Sequence, residues 1–192
     1  MATSWDDVAV DWEKEQSTAV FAAKVFESLQ DIIDLKGAHI LDFGCGTGLL
    51  SQKLSPIAKD IVALDSSEAM IEQLDKKELH HVEPVVDMLT RGLVAMHPAF
   101  RNQFDAVVAS SVCSFIPNYS DVADIVYSLV DEGGYFIHWD WVSDQDEVGG
   151  MTTKHAKQVL TSVGFDEVTV TTPFDVDTPQ GTFKVLMAVA KK

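Results

Sequence analysis

The pattern of apolar and polar positions changes period several times along this chain. From Thr18 to Ile33, residues Val20, Ala23, Phe26 and Ile33 and their neighbours recur at helical spacing, which predicts a helix. Beyond it, short apolar runs alternate with helix-like segments. The runs predict strands at His39–Phe43, Ile61–Leu64, Val82–Val86, Phe104–Ala109, Tyr135–Trp139, Glu167–Thr171 and Phe183–Ala190. Helices are expected near Gly48–Leu54, Glu68–Leu74, Val122–Leu129 and Thr153–Val163. The stretch Met88–Arg101 has no single period, and Gly92 and Pro98 interrupt any long helix there. Strand–helix alternation implies right-handed crossovers, hence a doubly wound α/β fold with a mostly parallel sheet covered on both faces. Pro173, Pro179 and Gly181 place a loop between the last two strands, so that pair is expected to be antiparallel. Ligands of such sheets sit at the carboxyl ends of the strands.

A length of 192 residues suits one domain, and 46% hydrophobic residues allow a sizeable core. The formal net charge of −16 argues against nucleic acid and against an anionic membrane surface as partners, because both are held through Lys and Arg. It is compatible with solubility alone or with attraction of a neutral or cationic small substrate. Met1 to Val10 has no basic stretch leading into an apolar run, and no apolar run is long enough to span a bilayer. Cys45 and Cys113 cannot make a disulfide framework. A cytoplasmic location is therefore expected. Neither cysteine shows metal-ligand spacing with His80 and His81, and no metal is expected.

The most informative segment is Ile40-Leu41-Asp42-Phe43-Gly44-Cys45-Gly46-Thr47-Gly48-Leu49-Leu50. A strand ending in an acid turns through three alternating glycines into a helix. A dinucleotide loop needs G-x-G-x-x-G, but Leu49 stands where its third glycine belongs. Asp42 beside the loop is unfavourable for a pyrophosphate and suitable for the ammonium of a bound amino acid. Roughly 20 residues further on, Asp65 closes the next strand, a placement from which a carboxylate accepts both hydroxyl protons of a ribose. Asp87 closes the strand after that. One acid after a strand is usually a cap or turn residue; three closing successive strands after a glycine loop point to a shared ligand.

On these residues the chain resembles the class I S-adenosylmethionine (SAM)-dependent methyltransferases. Asp42-x-Gly44-x-Gly46-x-Gly48, with Cys45 inside it, matches that family's cofactor loop. Asp65-Ser66-Ser67-x-x-Met70 resembles its ribose-binding strand end and following helix, and Asp87-Met88 the pair that reads the adenine edge. Phe104 to Ser111 resembles the fourth strand, with Ser110 at the end that lies under the transferable methyl. Leu129 to Gly134 is similar to the turn before the fifth strand. The resemblance implies a seven-stranded sheet in the order 3-2-1-4-5-7-6 with strand seven antiparallel. It implies SAM as cofactor and S-adenosylhomocysteine (SAH) as product.

Residues 1–36 are expected to form an N-terminal helical lid carrying Trp5 and Trp12, and residues 37–192 the cofactor-binding core. Acceptor-side candidates are Ser111 and Phe115 after strand four. His138 and Asp140, on one face of strand five, are candidates for a catalytic pair, with His138 partly buried and Trp139 in the core. The run after strand four lacks the N/D-P-P-Y/F pattern of DNA amino-methyltransferases. A Pro-Cys nucleophile and a paired-glutamate hairpin are also missing. A small-molecule acceptor is therefore favoured, its methylated atom and the oligomeric state being left open. The alternatives are a protein or peptide side chain, or a SAM-binding partner or regulatory subunit without catalysis; a nicotinamide dehydrogenase ranks third.

Overall fold

In a computed structural model that describes residues 4–192, the apolar runs form seven strands. They are β1 (His39–Phe43), β2 (Asp60–Asp65), β3 (Val82–Val86), β4 (Phe104–Ser110), β5 (Val130–Trp141), β6 (Glu167–Thr178) and β7 (Gly181–Lys191). Their order is 3-2-1-4-5-7-6, with β7 antiparallel to its neighbours. The helices are α1 (Trp5–Val8), α2 (Gln16–Gln30), α3 (Leu49–Leu54), α4 (Glu68–Asp75), α5 (Arg91–Met96), α6 (Tyr119–Leu129) and α7 (Thr153–Val163). Met1, Ala2 and Thr3, at the head of the expected lid segment, lie outside the described residues. No described helix is long and apolar enough to cross a membrane. The chain divides into two compact units, Met1–Met88 and Leu89–Lys192.

In the first unit β1, β2 and β3 pair in parallel, with Phe43 opposite Leu64 and Asp65 opposite Val86. Ile40, Leu41, Ile61, Val62, Ala63 and Leu64 are all buried. That is why these runs are continuous rather than alternating: a parallel strand with both faces covered has no polar side. Helix α2 contributes Phe21, Ala22, Val25 and Leu29 to the core. Pro84 is tolerated in β3 because that strand ends the sheet order, and an edge has no ladder bond to lose.

In the second unit β4 and β5 pair in parallel, while β7 pairs antiparallel with β5 and β6. Three details differ from the periodicity reading. Strand β5 starts at Val130 rather than Tyr135, with a register irregularity against β4 and Gly133 at φ +77°. The expected loop from residue 172 to 182 is instead a hairpin continuing to Thr178, which turns through Pro179 and Gln180. Pro173 is accommodated at a register shift between Thr171 and Phe174, since a bulge on an edge strand needs no donor there. The ambiguous stretch resolves into α5, capped by Thr90 Oγ1 on Leu93 N–H, and a 3-10 turn that Pro98 opens.

Candidate functional site

Strand β1 ends in the glycine loop, where Gly44, Gly46 and Gly48 have φ of +66°, +54° and +80°. Left-handed backbone at every second residue is what limits these positions to glycine. Packing adds to it at Gly48, where a Cβ would sit 2.2 Å from Leu74 Cδ1 on α4. The loop's amides are already engaged. Gly44 N–H and Cys45 N–H donate to Leu64 O, and Gly46 N–H donates to Asp65 Oδ2 at 2.8 Å. Three consecutive amides spent on the end of β2 do not form the open nest that a pyrophosphate requires.

Asp42 and Asp65 are the charged groups of this loop. Asp42 is buried, and its Oδ2 accepts from Ser51 Oγ on α3 at 2.6 Å. Its Oδ1 is buried with no hydrogen-bond partner, and so is Thr47 Oγ1 in the same loop. Burial pushes the Asp42 carboxyl from 3.8 up to about 6; the Ser51 hydroxyl opposes this and the Asp65 charge adds to it. Asp65 is raised too, first by burial, against the backbone N–H groups of Ser67, Gly46 and Ser66 that hold its charged form. Its Oδ1 accepts from Ser67 N–H at 2.9 Å. An ionised carboxylate offers about four lone-pair sites, so acceptor capacity remains for a ligand's hydroxyls.

The other residues expected around this loop divide by exposure. Ser66, Asp87 and Met88 are exposed at the ends of β2 and β3. Asp87 Oδ1 accepts from Met88 N–H at 2.7 Å, and the apolar side chains of Val86 and Met88 on either side of Asp87 are open to solvent. Met70 and Cys45 are buried. The Met70 thioether lies beneath the loop, 3.9 Å from where a Gly46 Cβ would be. Cys45 packs with Ala63, Ile71 and Leu74, and burial raises its thiol well above the usual range. These two support the loop from below. In the N-terminal segment Trp5 and Trp12 pack edge to face, ring centres 5.7 Å apart.

In the second unit the end of β4 carries Ser110 and Ser111. Ser111 N–H donates to Trp139 O at 2.7 Å, and the residue stands at φ +59°, a conformation costing a non-glycine residue about 1–2 kcal/mol. A 3-10 turn, Cys113–Phe115, follows. His138 and Asp140 do share one face of β5, joined by His138 Nδ1 and Asp140 Oδ2 at 2.7 Å. His138 is fully buried rather than partly so, because this strand is covered on both faces and Trp139 on the opposite side is buried as well.

Sequence reasoning missed Tyr119 as the third member of this cluster. Its hydroxyl lies 2.8 Å from His138 Nε2. If Nδ1 donates to Asp140 Oδ2, Nε2 is the nitrogen that accepts from the Tyr119 O–H. Burial raises the phenol well above its ordinary value, which keeps that donor protonated. Asp140 Oδ1 also accepts from Ser114 N–H at 2.8 Å, tying the cluster to the turn that bears Phe115. Gly149 N–H donates to Ser114 O, and a Cβ at Gly149 would press within about 3.1 Å of the Phe115 ring. Only helical spacing relates Tyr119 to other residues in the sequence, so no local signal pointed to it.

Comparison with known proteins bears on the family and the fold. Residues 41–136 match a family model described as a methyltransferase domain. The ubiquinone biosynthesis O-methyltransferase of Shewanella pealeana is 32% identical over 101 residues, which span 52% of this chain and 42% of that protein. The chain thus spans less than half the length of this curated relative. The DhpI–SAH complex superposes with a TM-score of 0.73 at 22% identity, covering 97% of this chain and 92% of that one. A Haloferax volcanii methyltransferase solved with the Trm112 activator superposes with a TM-score of 0.77 at 13% identity, covering 100% and 98%.

Proposed function

Because this chain belongs to the methyltransferase-domain family, that of the class I SAM-dependent methyltransferases, we propose that it moves the methyl group of SAM to a small-molecule acceptor. The observation that carries the cofactor reading is the orphaned, buried Asp42 Oδ1 beside a glycine loop whose first amides are already spent. A desolvated anionic oxygen without a donor is costly to keep, and an ammonium group would satisfy it. Asp65 would accept the ribose hydroxyls. The exposed Asp87–Met88 corner, with Ser66, would border the adenine. Ser110 would lie nearest the transferable methyl. Bound SAM supplies an electrophilic methyl on a sulfonium.

The chain's own part is to hold the acceptor in line and keep water out. On this reading residues 1–36 are a lid on the 37–192 core, with Trp5 and Trp12 as its aromatic face. Ser111 and Phe115 line the acceptor side. His138 has both ring nitrogens occupied, so we assign it, with Asp140, the task of fixing the Cys113–Phe115 turn. The O-methyltransferase named above supports a hydroxyl acceptor. The buried free thiols of Cys45 and Cys113 fit a cytoplasmic setting.

The test has two stages. SAM and SAH should each raise the melting temperature by mass action, and NAD should not. Hydroxyl-bearing small molecules should then support conversion of SAM to SAH. A thermal response to NAD and none to SAM or SAH would overturn the assignment. Saturable SAM binding with no turnover on any acceptor would favour a cofactor-binding regulator instead.

A further inference from the structure

The N-terminal segment is fastened to the same residues that orient Asp65. Asp6 on α1 accepts from Ser67 Oγ at 2.5 Å and from Ala69 N–H at 3.4 Å. Ser67 is the N-cap of α4; its Oγ accepts from Met70 N–H at 3.1 Å, while its own N–H donates to Asp65 Oδ1. One serine thus joins the segment, the helix start and the acid. A second tie lies at the other end of the segment, where Lys77 Nζ meets Glu13 Oε1 at 2.6 Å and Gln52 Oε1 at 3.3 Å. In the same segment Trp5 and Trp12 pack on each other, and Thr18 Oγ1 donates to Trp12 O at 3.0 Å.

We propose that Asp6 is a positioning residue: it latches residues 4–14 onto the start of α4, and through Ser67 it couples docking of that segment to the orientation of Asp65. The inference rests on reading Asp65 as the ribose acid. A ligand that fixes Asp65 also fixes the Ser67 amide, and hence the hydroxyl that Asp6 holds. By linkage, docking of the segment and binding at Asp65 favour each other equally. Asp6 is itself exposed and outside the core, so its replacement is expected to leave the fold intact. The Asp6 charge also adds to the upward push that burial exerts on the Asp65 carboxyl.

The experiment compares the full chain with Asp6→Ala and Asp6→Asn, using amide exchange resolved to residues 4–14 and 67–70, and calorimetry with SAM. In the unsubstituted protein, saturating SAM should slow exchange across residues 4–14 about tenfold. Asp6→Ala should abolish that slowing, speed ligand-free exchange at both segments, and weaken SAM about fivefold. Asp6→Asn keeps a carbonyl oxygen for both donors, so it should stay within about twofold of the unsubstituted protein in every measurement. Unchanged SAM affinity and retained protection in Asp6→Ala would overturn the latch, as would Asp6→Asn failing alongside it. If the unsubstituted protein binds no SAM, the cofactor reading falls. The ligand-free exchange of Asp6→Ala against the unsubstituted protein then still decides whether the latch exists.

Discussion

Replacing Asp42 by asparagine should weaken cofactor binding and make the change in stability depend on pH, and that pH dependence carries the test. Asp42 is fully desolvated, and its carboxyl stands at about 6 instead of 3.8. That gap corresponds to about 3 kcal/mol between the two protonation states. The folded value is the higher one, so between the two values the folded chain binds more protons than the unfolded chain. The contribution to stability is fully present below about pH 4 and is lost as pH rises through about 6. Asp42→Asn cannot ionise and escapes that loss. Its amide oxygen can still accept from Ser51 Oγ, while its amide N–H₂ placed at the orphaned position costs about 1–3 kcal/mol at every pH. The stability of Asp42→Asn relative to the unsubstituted protein should therefore rise by about 3 kcal/mol between pH 4 and pH 7.5. At roughly 2–4 °C per kcal/mol for a chain of this size, the relative melting temperature moves by about 6–12 °C. Urea titrations across that pH range measure it directly. The same variant should bind SAM more weakly, having no anion for the ammonium. A stability difference that stays flat with pH would refute the reasoning, because it would mean that Asp42 is not held desolvated.

Four further outcomes are expected. Asp65→Ala should lose roughly 2–4 kcal/mol of SAM binding, the worth of about two charge-assisted hydrogen bonds, read by calorimetry. Gly48→Ala should destabilise the fold by about 2–4 kcal/mol in urea, combining left-handed backbone strain with overpacking against Leu74. Gly37→Ala, at φ +74° with nothing near its Cβ, should lose only the strain, about 1–2 kcal/mol, so the difference isolates the packing. Tyr119→Phe leaves His138 Nε2 buried without a donor and should cost about 1–3 kcal/mol of stability, with SAM affinity unchanged.

The glycine loop of the candidate site was legible because its residues are contiguous. Asp42 through Gly48 is one strand end and one turn, and left-handed backbone at every second position leaves glycine as the only unstrained residue. The parallel core strands were legible for a similar reason: burial on two faces leaves an unbroken apolar run. Helix α7 falls where its periodicity placed it, between the Thr152 cap and Gly164 in the left-handed region. Tertiary structure decided what depends on residues distant in sequence. Pro173 reads as a loop signal, yet a bulge opposite β7 lets β6 run through it. Burial of His138 depends on what covers both faces of β5, and the hydroxyl that completes its hydrogen bonding comes from Tyr119, 19 positions away. The tie from Asp6 to Ser67 spans 61 positions with no repeating pattern between them. Sequence period records which face of an element is buried; which polar side chains meet there is settled only when separate elements pack, because a hydrogen bond depends on distance and angle in space and leaves no periodic trace along the chain.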